Sequence, residues 1–255
     1  MLDDDVLIDA GTGVGDLSLD AMQKINTVFL THSHLDHICS LPLMLDTVGV
    51  HRTKPLRVFG IEATIHALKT HIFNNVIWPD FSKIPSTEKP CLAFEVIDVG
   101  QTITIGDVSI TALPVNHSIS AIGYWIDSGE GALVFNGDTG PAQQFWQAVN
   151  QIHANKKGFQ SEKQPDDINY LKHLIIETSF TNAEEDLAKL SGHYHPAQLA
   201  ADLQLLQAPC SIWITHLKPG FADAIMAELH EDLNVINSKR KDLVQALKNA
   251  QVLVF

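Results

Sequence analysis

Four side chains able to bind a metal fall within six residues of this chain, His32-Ser33-His34-Leu35-Asp36-His37. No other feature restricts its fold as strongly. The apolar run Thr27–Thr31 before it reads as a strand, and Asp36–Thr47 after it as a helix. His32 and His34 are two residues apart, so on extended chain they point to one side. Asp36 and His37 enter the first helical turn and aim at a neighbouring point. One loop can then serve two metal ions. Histidine is also abundant, 13 of 255 residues, and it is the commonest metal-ligating side chain.

Two metals need more ligands than one loop supplies, and three residues lie in matching contexts. His117 follows the run Val108–Leu113, Asp138 follows Leu133–Asn136, and His216 follows Ser211–Thr215. Each sits just past the end of a predicted strand. Further strands are expected at Val6–Asp9, Leu56–Phe59, Ala93–Val99, Thr102–Ile105, Ala121–Asp127, Ala132–Asn136, His173–Glu177 and Val252–Phe255. Helical spacing appears at Ile61–Phe73, Pro141–Ala154, Ala183–Lys189, Pro196–Gln207, Ala222–Glu231 and Lys239–Lys248. The strands read as a mostly antiparallel series with helices inserted between them, which predicts packed sheets with helices outside. Asn155–Asp167 reads as a polar surface loop. The irregular stretch Asn74–Pro90 holds Trp78 and Phe81 and reads as a lid or wall.

Composition narrows the function. Lys and Arg number 17 against 30 Asp and Glu, a formal charge of −13. That sign disfavours a grip on long nucleic acid, but not a small anion held by metals. No apolar run approaches the roughly 18–20 residues that span a bilayer, so no membrane partner is expected. Cys39, Cys91 and Cys210 lie far apart, which excludes a disulfide framework and any CxxC motif. A cytoplasmic location is expected. The first residues show no signal peptide, but Asp3–Asp5 reads as the tip of a hairpin whose first strand precedes this chain. With such a segment missing, a periplasmic location stays open.

The order HxHxDH, His117, Asp138, His216 resembles the metallo-β-lactamase fold superfamily, and Asp9 in Asp9-Ala10-Gly11 looks like its early structural aspartate. The resemblance covers nearly the whole chain. It implies one α/β domain over residues 1–255, an αββα four-layer sandwich, with the presence of its first N-terminal strand or strands left open. It implies two divalent metals, zinc first, with manganese or iron open. One ion takes His32, His34 and His117, the second Asp36, His37 and His216, and Asp138 bridges them. Within the superfamily, His32–Ser40, Phe73–Phe81, Asn116-His117-Ser118 and Thr215–Pro219 resemble the class II 3′,5′-cyclic-nucleotide phosphodiesterases. Pro42, Leu45 and Asp46 depart from that pattern.

This family resemblance implies hydrolysis of cyclic AMP, with cyclic GMP open, to the 5′-nucleoside monophosphate. The two metals polarise the phosphoryl oxygens and activate a water between them. In Gly192-His193-Tyr194-His195-Pro196, His193 matches the histidine that helps the leaving group depart in similar enzymes. His193 and Asp36 are therefore the candidate catalytic residues, and Glu177 is a candidate to orient His193. Trp78 and Phe81 are candidates to stack on a purine. Lys218 is a candidate for a phosphate oxygen, and Asn116 and Thr139 for further substrate contacts. Three alternatives remain: a tRNA 3′-processing enzyme, another phosphodiesterase on the same fold, and a non-catalytic metal-binding protein. Cyclic nucleotide is the expected partner, and a homodimer is left open.

Overall fold

The computed structural model describes residues 1–3, 5–49, 52–160 and 169–255, without the side chains of 157–160. The chain divides into two compact units, Met1–Asp98 and Val99–Phe255.

The first unit is a parallel sheet with helical crossovers. Its elements are β1 (Val6–Ile8), a 3₁₀ turn (Thr12–Asp16), α1 (Leu19–Lys24), β2 (Thr27–Phe29), α2 (Leu35–Ile38) and α3 (Ser40–Val48). Next come β3 (Leu56–Gly60), α4 (Glu62–Ala67), a π-helical turn (Leu68–Ile72), the short strands β4 (Pro85–Ser86) and β5 (Lys89–Pro90), and β6 (Leu92–Val96). The sheet order is β1-β2-β3-β6, and every pair is parallel, with Val6 opposite Thr27, Val28 opposite Val58 and Leu56 opposite Leu92. The expectation of a mostly antiparallel series is wrong here. Helices join consecutive strands, and a crossover of that kind returns the chain in the same direction. All of β2 is buried, as a strand covered on both faces requires. Val28, Leu30 and Val58 pack with Leu41, Leu45, Ile65 and Leu68 in the core.

The second unit carries seven strands among its described residues. They are β7 (Thr102–Ile105), β8 (Val108–Pro114), β9 (Ile122–Asp127), β10 (Ala132–Phe135), β11 (Leu171–Glu177), β12 (Ser211–Thr215) and β13 (Val244–Ala246). Its helices are α5 (Gln143–Gln160), α6 (Glu185–Ser191), α7 (Pro196–Asp202) and α8 (Ala222–Val235), with 3₁₀ turns at Asn182–Glu184, Leu203–Leu205 and Lys241–Leu243. The order is β13-β12-β11-β10-β9-β8-β7. From β7 to β10 the pairs are antiparallel, joined by loops of two, seven and four residues; from β10 to β13 they are parallel, joined through helices. Gly106, at φ 57°, supplies the positive φ of the two-residue turn between β7 and β8. Trp125, Trp146, Phe145, Leu174, Ile212 and Leu229 are central to this unit's core.

Several local expectations need correction. Asp36–Thr47 is two helices meeting at Cys39. The segment from Asn155 is helical to Gln160; the rest of that expected loop, 161–167, lies outside the described residues. The expected helix Lys239–Lys248 is a 3₁₀ turn and then β13, because Val244 and Ala246 pair with Ile212 and Ile214. Sheet pairing there overrides a helical spacing of apolar residues. Val252–Phe255 forms no strand: Val252 and Val254 are each 83% exposed. His173 Nε2 donates to the Val254 carbonyl and Ser128 Oγ to that of Phe255. The helix α1 lies outside the expected helical segments. No helix among the described residues is long and apolar enough to cross a membrane.

Arg240 ties the approach to β13 to the approach to β12. Its guanidinium donates to the carbonyls of Ala208 (2.8 Å) and Leu206. Arg240→Ala leaves both carbonyls without that donor. We expect a loss of about 1–3 kcal/mol, read as a lower midpoint in urea denaturation. An unchanged midpoint contradicts this role.

Candidate metal centre

In the first unit the motif loop leaves β2 and is laced to residues 9–11. Asp9 N donates to the Phe29 carbonyl (2.8 Å), Ala10 N to that of His37 (2.7 Å), and Ser40 N to that of Ala10 (2.9 Å). Asp9 holds φ 56°, a left-handed backbone rare for a side-chain-bearing residue and concentrated at functional sites. Gly11 is required by contact: a Cβ there would lie 1.9 Å from the Asp36 carbonyl oxygen.

The Asp9 carboxylate organises two histidines. It accepts from Thr31 N (2.7 Å) and, at Oδ2, from Thr31 Oγ1 (2.9 Å) and His37 Nδ1 (2.7 Å). Because the Thr31 hydroxyl proton goes to Asp9, Thr31 Oγ1 accepts from His32 Nδ1 at 3.0 Å. Both rings are thereby set with Nε2 as the atom each offers a metal. The His32 ring centre lies 4.7 Å from that of His34 and 4.2 Å from that of His37. Asp36 Oδ2 is 3.7 Å from His37 Nε2, on a side chain 59% exposed.

The second unit gathers its share at the ends of its strands. His117, past β8, donates through Nδ1 to the Gly192 carbonyl (2.9 Å). Gly192 ends α6 in left-handed conformation at φ 73°, and a Cβ there would lie 2.7 Å from Ser118 N. Asp138, past β10, is buried, and its Oδ2 is 3.4 Å from His216 Nε2. His216, past β12, holds φ 58°, and its Nδ1 lies 2.6 Å from Ser179 Oγ.

Glu177, at the end of β11, is fully buried. It accepts from His193 Nδ1 (2.6 Å) and Thr139 N (3.0 Å) at Oε1, and from Ser179 Oγ (3.0 Å) at Oε2. The expected Glu177–His193 hydrogen bond is therefore present. Burial pushes the Glu177 carboxyl up to about 8, and Asp138 pushes the same way; His216 and the bonds from Thr139 and Ser179 oppose. The His193 ring is stacked 5.2 Å from that of His216 and edge-on at 4.8 Å to that of His117. Ligand atoms of Glu177, His193 and His216 lie within 4.8 Å of one another. His195 is elsewhere: its Nδ1 pairs with Asn182 Oδ1 (3.0 Å), and burial lowers its pKa.

The donor set fits divalent metals. Four histidines, two on each unit, have Nδ1 engaged by a hydroxyl, a carboxylate or a carbonyl. That pattern fixes tautomer and ring orientation at metal-ligating histidines.

The expected substrate contacts divide. Phe81 is 9% exposed and belongs to the first unit's core, its ring 6.4 Å from that of Phe73. It is a packing residue, which corrects the stacking expectation. Trp78 is half-buried and packs against that core. Thr139 is fully buried. Its hydroxyl accepts from Asn116 N (2.9 Å), while the Asn116 amide donates to the Pro141 carbonyl (3.0 Å). These two tie the His117 loop to the Asp138 loop; Thr139 is enclosed there, while Asn116 is exposed. Lys218 Nζ lies over the Phe180 ring at 5.3 Å. Sequence reasoning missed Thr31 and Ser179. Their only signal is a hydroxyl residue at or just past a strand end, a position too common to single out.

Comparison with known proteins gives the chain a family and a fold. A family described as "cAMP phosphodiesterases class-II" matches residues 17–246, and the chain belongs to that family. A 3′,5′-cyclic-nucleotide phosphodiesterase of Schizosaccharomyces pombe is 28% identical over 206 residues, covering 73% of this chain and 52% of that protein. The chain thus spans about half the length of that relative. The unliganded structure of yeast PDE1 superposes with a TM-score of 0.67 at 19% identity, over 91% of this chain and 69% of the other. The metallo-β-lactamase fold protein YhfI of Bacillus subtilis gives 0.65 at 18% identity, over 96% and 85%. The chain has the metallo-β-lactamase fold.

The Asp9 wiring is testable through metal affinity. Asp9→Ala removes the acceptor of both Thr31 and His37. Zinc titration against a chromophoric chelator is expected to show affinity lower by about 10–100-fold. Wild-type affinity in the folded variant contradicts the wiring.

Proposed function

We propose that this chain is a metal-dependent phosphodiesterase that opens 3′,5′-cyclic nucleotides, cyclic AMP first and cyclic GMP second, to the 5′-nucleoside monophosphate. The two units act together as one hydrolase domain. The ligands are His32, His34 and His117 for one ion and Asp36, His37 and His216 for the other, with Asp138 shared. Zinc suits this mixed imidazole and carboxylate set, as do manganese and iron. The observation that carries the reading is the set of histidines fixed at Nδ1, on a chain whose family is the class-II cAMP phosphodiesterases.

Bound divalent ions supply Lewis-acid polarisation of the phosphoryl group and an activated water. The chain's own residues do the rest. His193 holds Nδ1–H on the buried Glu177 carboxylate at 2.6 Å, so Nε2 is the atom from which it delivers a proton to the departing 3′-oxygen. The carboxylate stabilises the charged ring before transfer, and general acid help of this kind is worth roughly 10²–10⁴-fold. Asp36 acts as a ligand and, on that account, in catalysis. Trp78 and Lys218 are the side chains proposed for the base and the phosphate. The formal charge of −13 favours a small anionic substrate over tRNA.

The test is hydrolysis of cyclic AMP by the zinc-loaded protein, with chelated protein as control. Chelator-sensitive release of 5′-AMP is expected. His193→Ala is expected to keep its metals and lose about 10²–10⁴-fold in kcat. Absence of turnover by a folded, metal-loaded chain contradicts the cyclic-nucleotide reading. Unchanged kcat in the variant removes His193 from the reaction.

A further inference from the structure

We infer that Ser179 is a positioning residue for the ligand His216 and, through Glu177, for His193. This rests on the metal reading above, though not on the identity of the substrate. The argument is a count of protons. Thr139 N, His193 Nδ1 and Ser179 Oγ all face Glu177 and hold it as the carboxylate against its burial. A serine hydroxyl carries one proton, and Ser179 Oγ donates it to Glu177 Oε2 at 3.0 Å. At 2.6 Å from His216 Nδ1 the same oxygen must accept, so the ring is the donor. His216 is then held as the Nδ1–H tautomer, with Nε2 on the side of Asp138 Oδ2, 3.4 Å away. A third, longer contact reaches His193 Nδ1 at 3.3 Å, whose proton goes to Glu177 Oε1 at 2.6 Å. One hydroxyl thus ties a metal ligand and the proton donor to a single carboxylate.

Two observations separate this from ordinary packing. The loop does not need the hydroxyl to hold its course, because Ser179 N already donates to the Tyr194 carbonyl (3.1 Å), and the Tyr194 hydroxyl is anchored on Asp202 Oδ2 (2.8 Å). The first unit also repeats the arrangement with different residues. There Thr31 Oγ1 donates to Asp9, accepts from His32 Nδ1 at 3.0 Å, and makes a longer contact of 3.5 Å to His37 Nδ1. Asp9 takes the His37 proton directly, as Glu177 takes that of His193. Carboxylate, hydroxyl and two histidines recur in the same roles.

Ser179→Ala removes the hydroxyl and keeps the backbone bond. The metal-free wild type and variant are titrated with zinc alone against a chromophoric chelator. The wild type is expected to take two ions. In the variant one affinity is expected to fall about 10–100-fold while the other stays, and Ser179→Thr is expected to restore it. Two wild-type affinities in Ser179→Ala overturn the role. A wild type that takes no zinc overturns the metal reading and this role with it. No nucleotide is used, so failure of the cyclic AMP assay leaves the result standing. Nitrogen NMR of zinc-loaded wild type labelled at histidine reads the tautomer without any variant. A His216 protonated at Nδ1 is expected, and one protonated at Nε2 overturns the inference even where Ser179→Ala does not fold.

Discussion

A neutral imidazole can present either nitrogen, and a metal site built from histidines works only when that choice is made for it. In this protein the choice is made by one arrangement used twice. A carboxylate accepts one histidine proton directly and a hydroxyl proton beside it, and the hydroxyl then accepts from the second histidine. Asp9, Thr31, His37 and His32 do this in the first unit, and Glu177, Ser179, His193 and His216 in the second. His117 uses a simpler device, the carbonyl of Gly192. The rest of each unit serves to bring these acceptors to the ends of its strands.

The arrangement has a cost that the fold has to carry. Glu177 is buried, and burial drives its carboxyl upward towards the neutral form. Three donors converge on it, from Thr139, Ser179 and His193, and each favours the carboxylate. Asp9 and His216 both stand in left-handed backbone, and Gly11 and Gly192 allow contacts that a single added carbon would block. Departures of this kind from local preference concentrate at functional sites, where surrounding packing overrides them. Here that packing comes from the two apolar cores, around Val28 and Leu41 in one unit and Trp125 and Trp146 in the other.

The ligand set was legible because its strongest part is local: three histidines and an aspartate within six residues leave few other readings. Strands were legible where β-branched runs met turns, as at Thr102–Ile105 and Ser211–Thr215. Their direction was not, because it depends on whether a helix or a tight turn joins them, and every pair from β1 to β6 in the main sheet is parallel. The last strand is Val244–Ala246, where the sequence pattern points to Val252–Phe255. Both stretches are apolar, and only pairing with Ile212 and Ile214 distinguishes them. The sequence does not separate a core Phe81 from a substrate contact, because an aromatic side chain looks alike in a core and in a pocket. Thr31 and Ser179 were invisible for the opposite reason: hydroxyl residues near strand ends are common, and their partners lie as much as 37 residues away.

The central claim is that His32, His37, His117 and His216 are fixed at Nδ1 and present Nε2 to a pair of metals. Anomalous diffraction from crystals of the zinc-loaded protein tests it most directly. The account predicts two zinc peaks about 3.5–4 Å apart, each met by Nε2 of its histidines, with Asp138 between them. A single peak, or coordination through Nδ1 of His32, His37, His117 or His216, would contradict it.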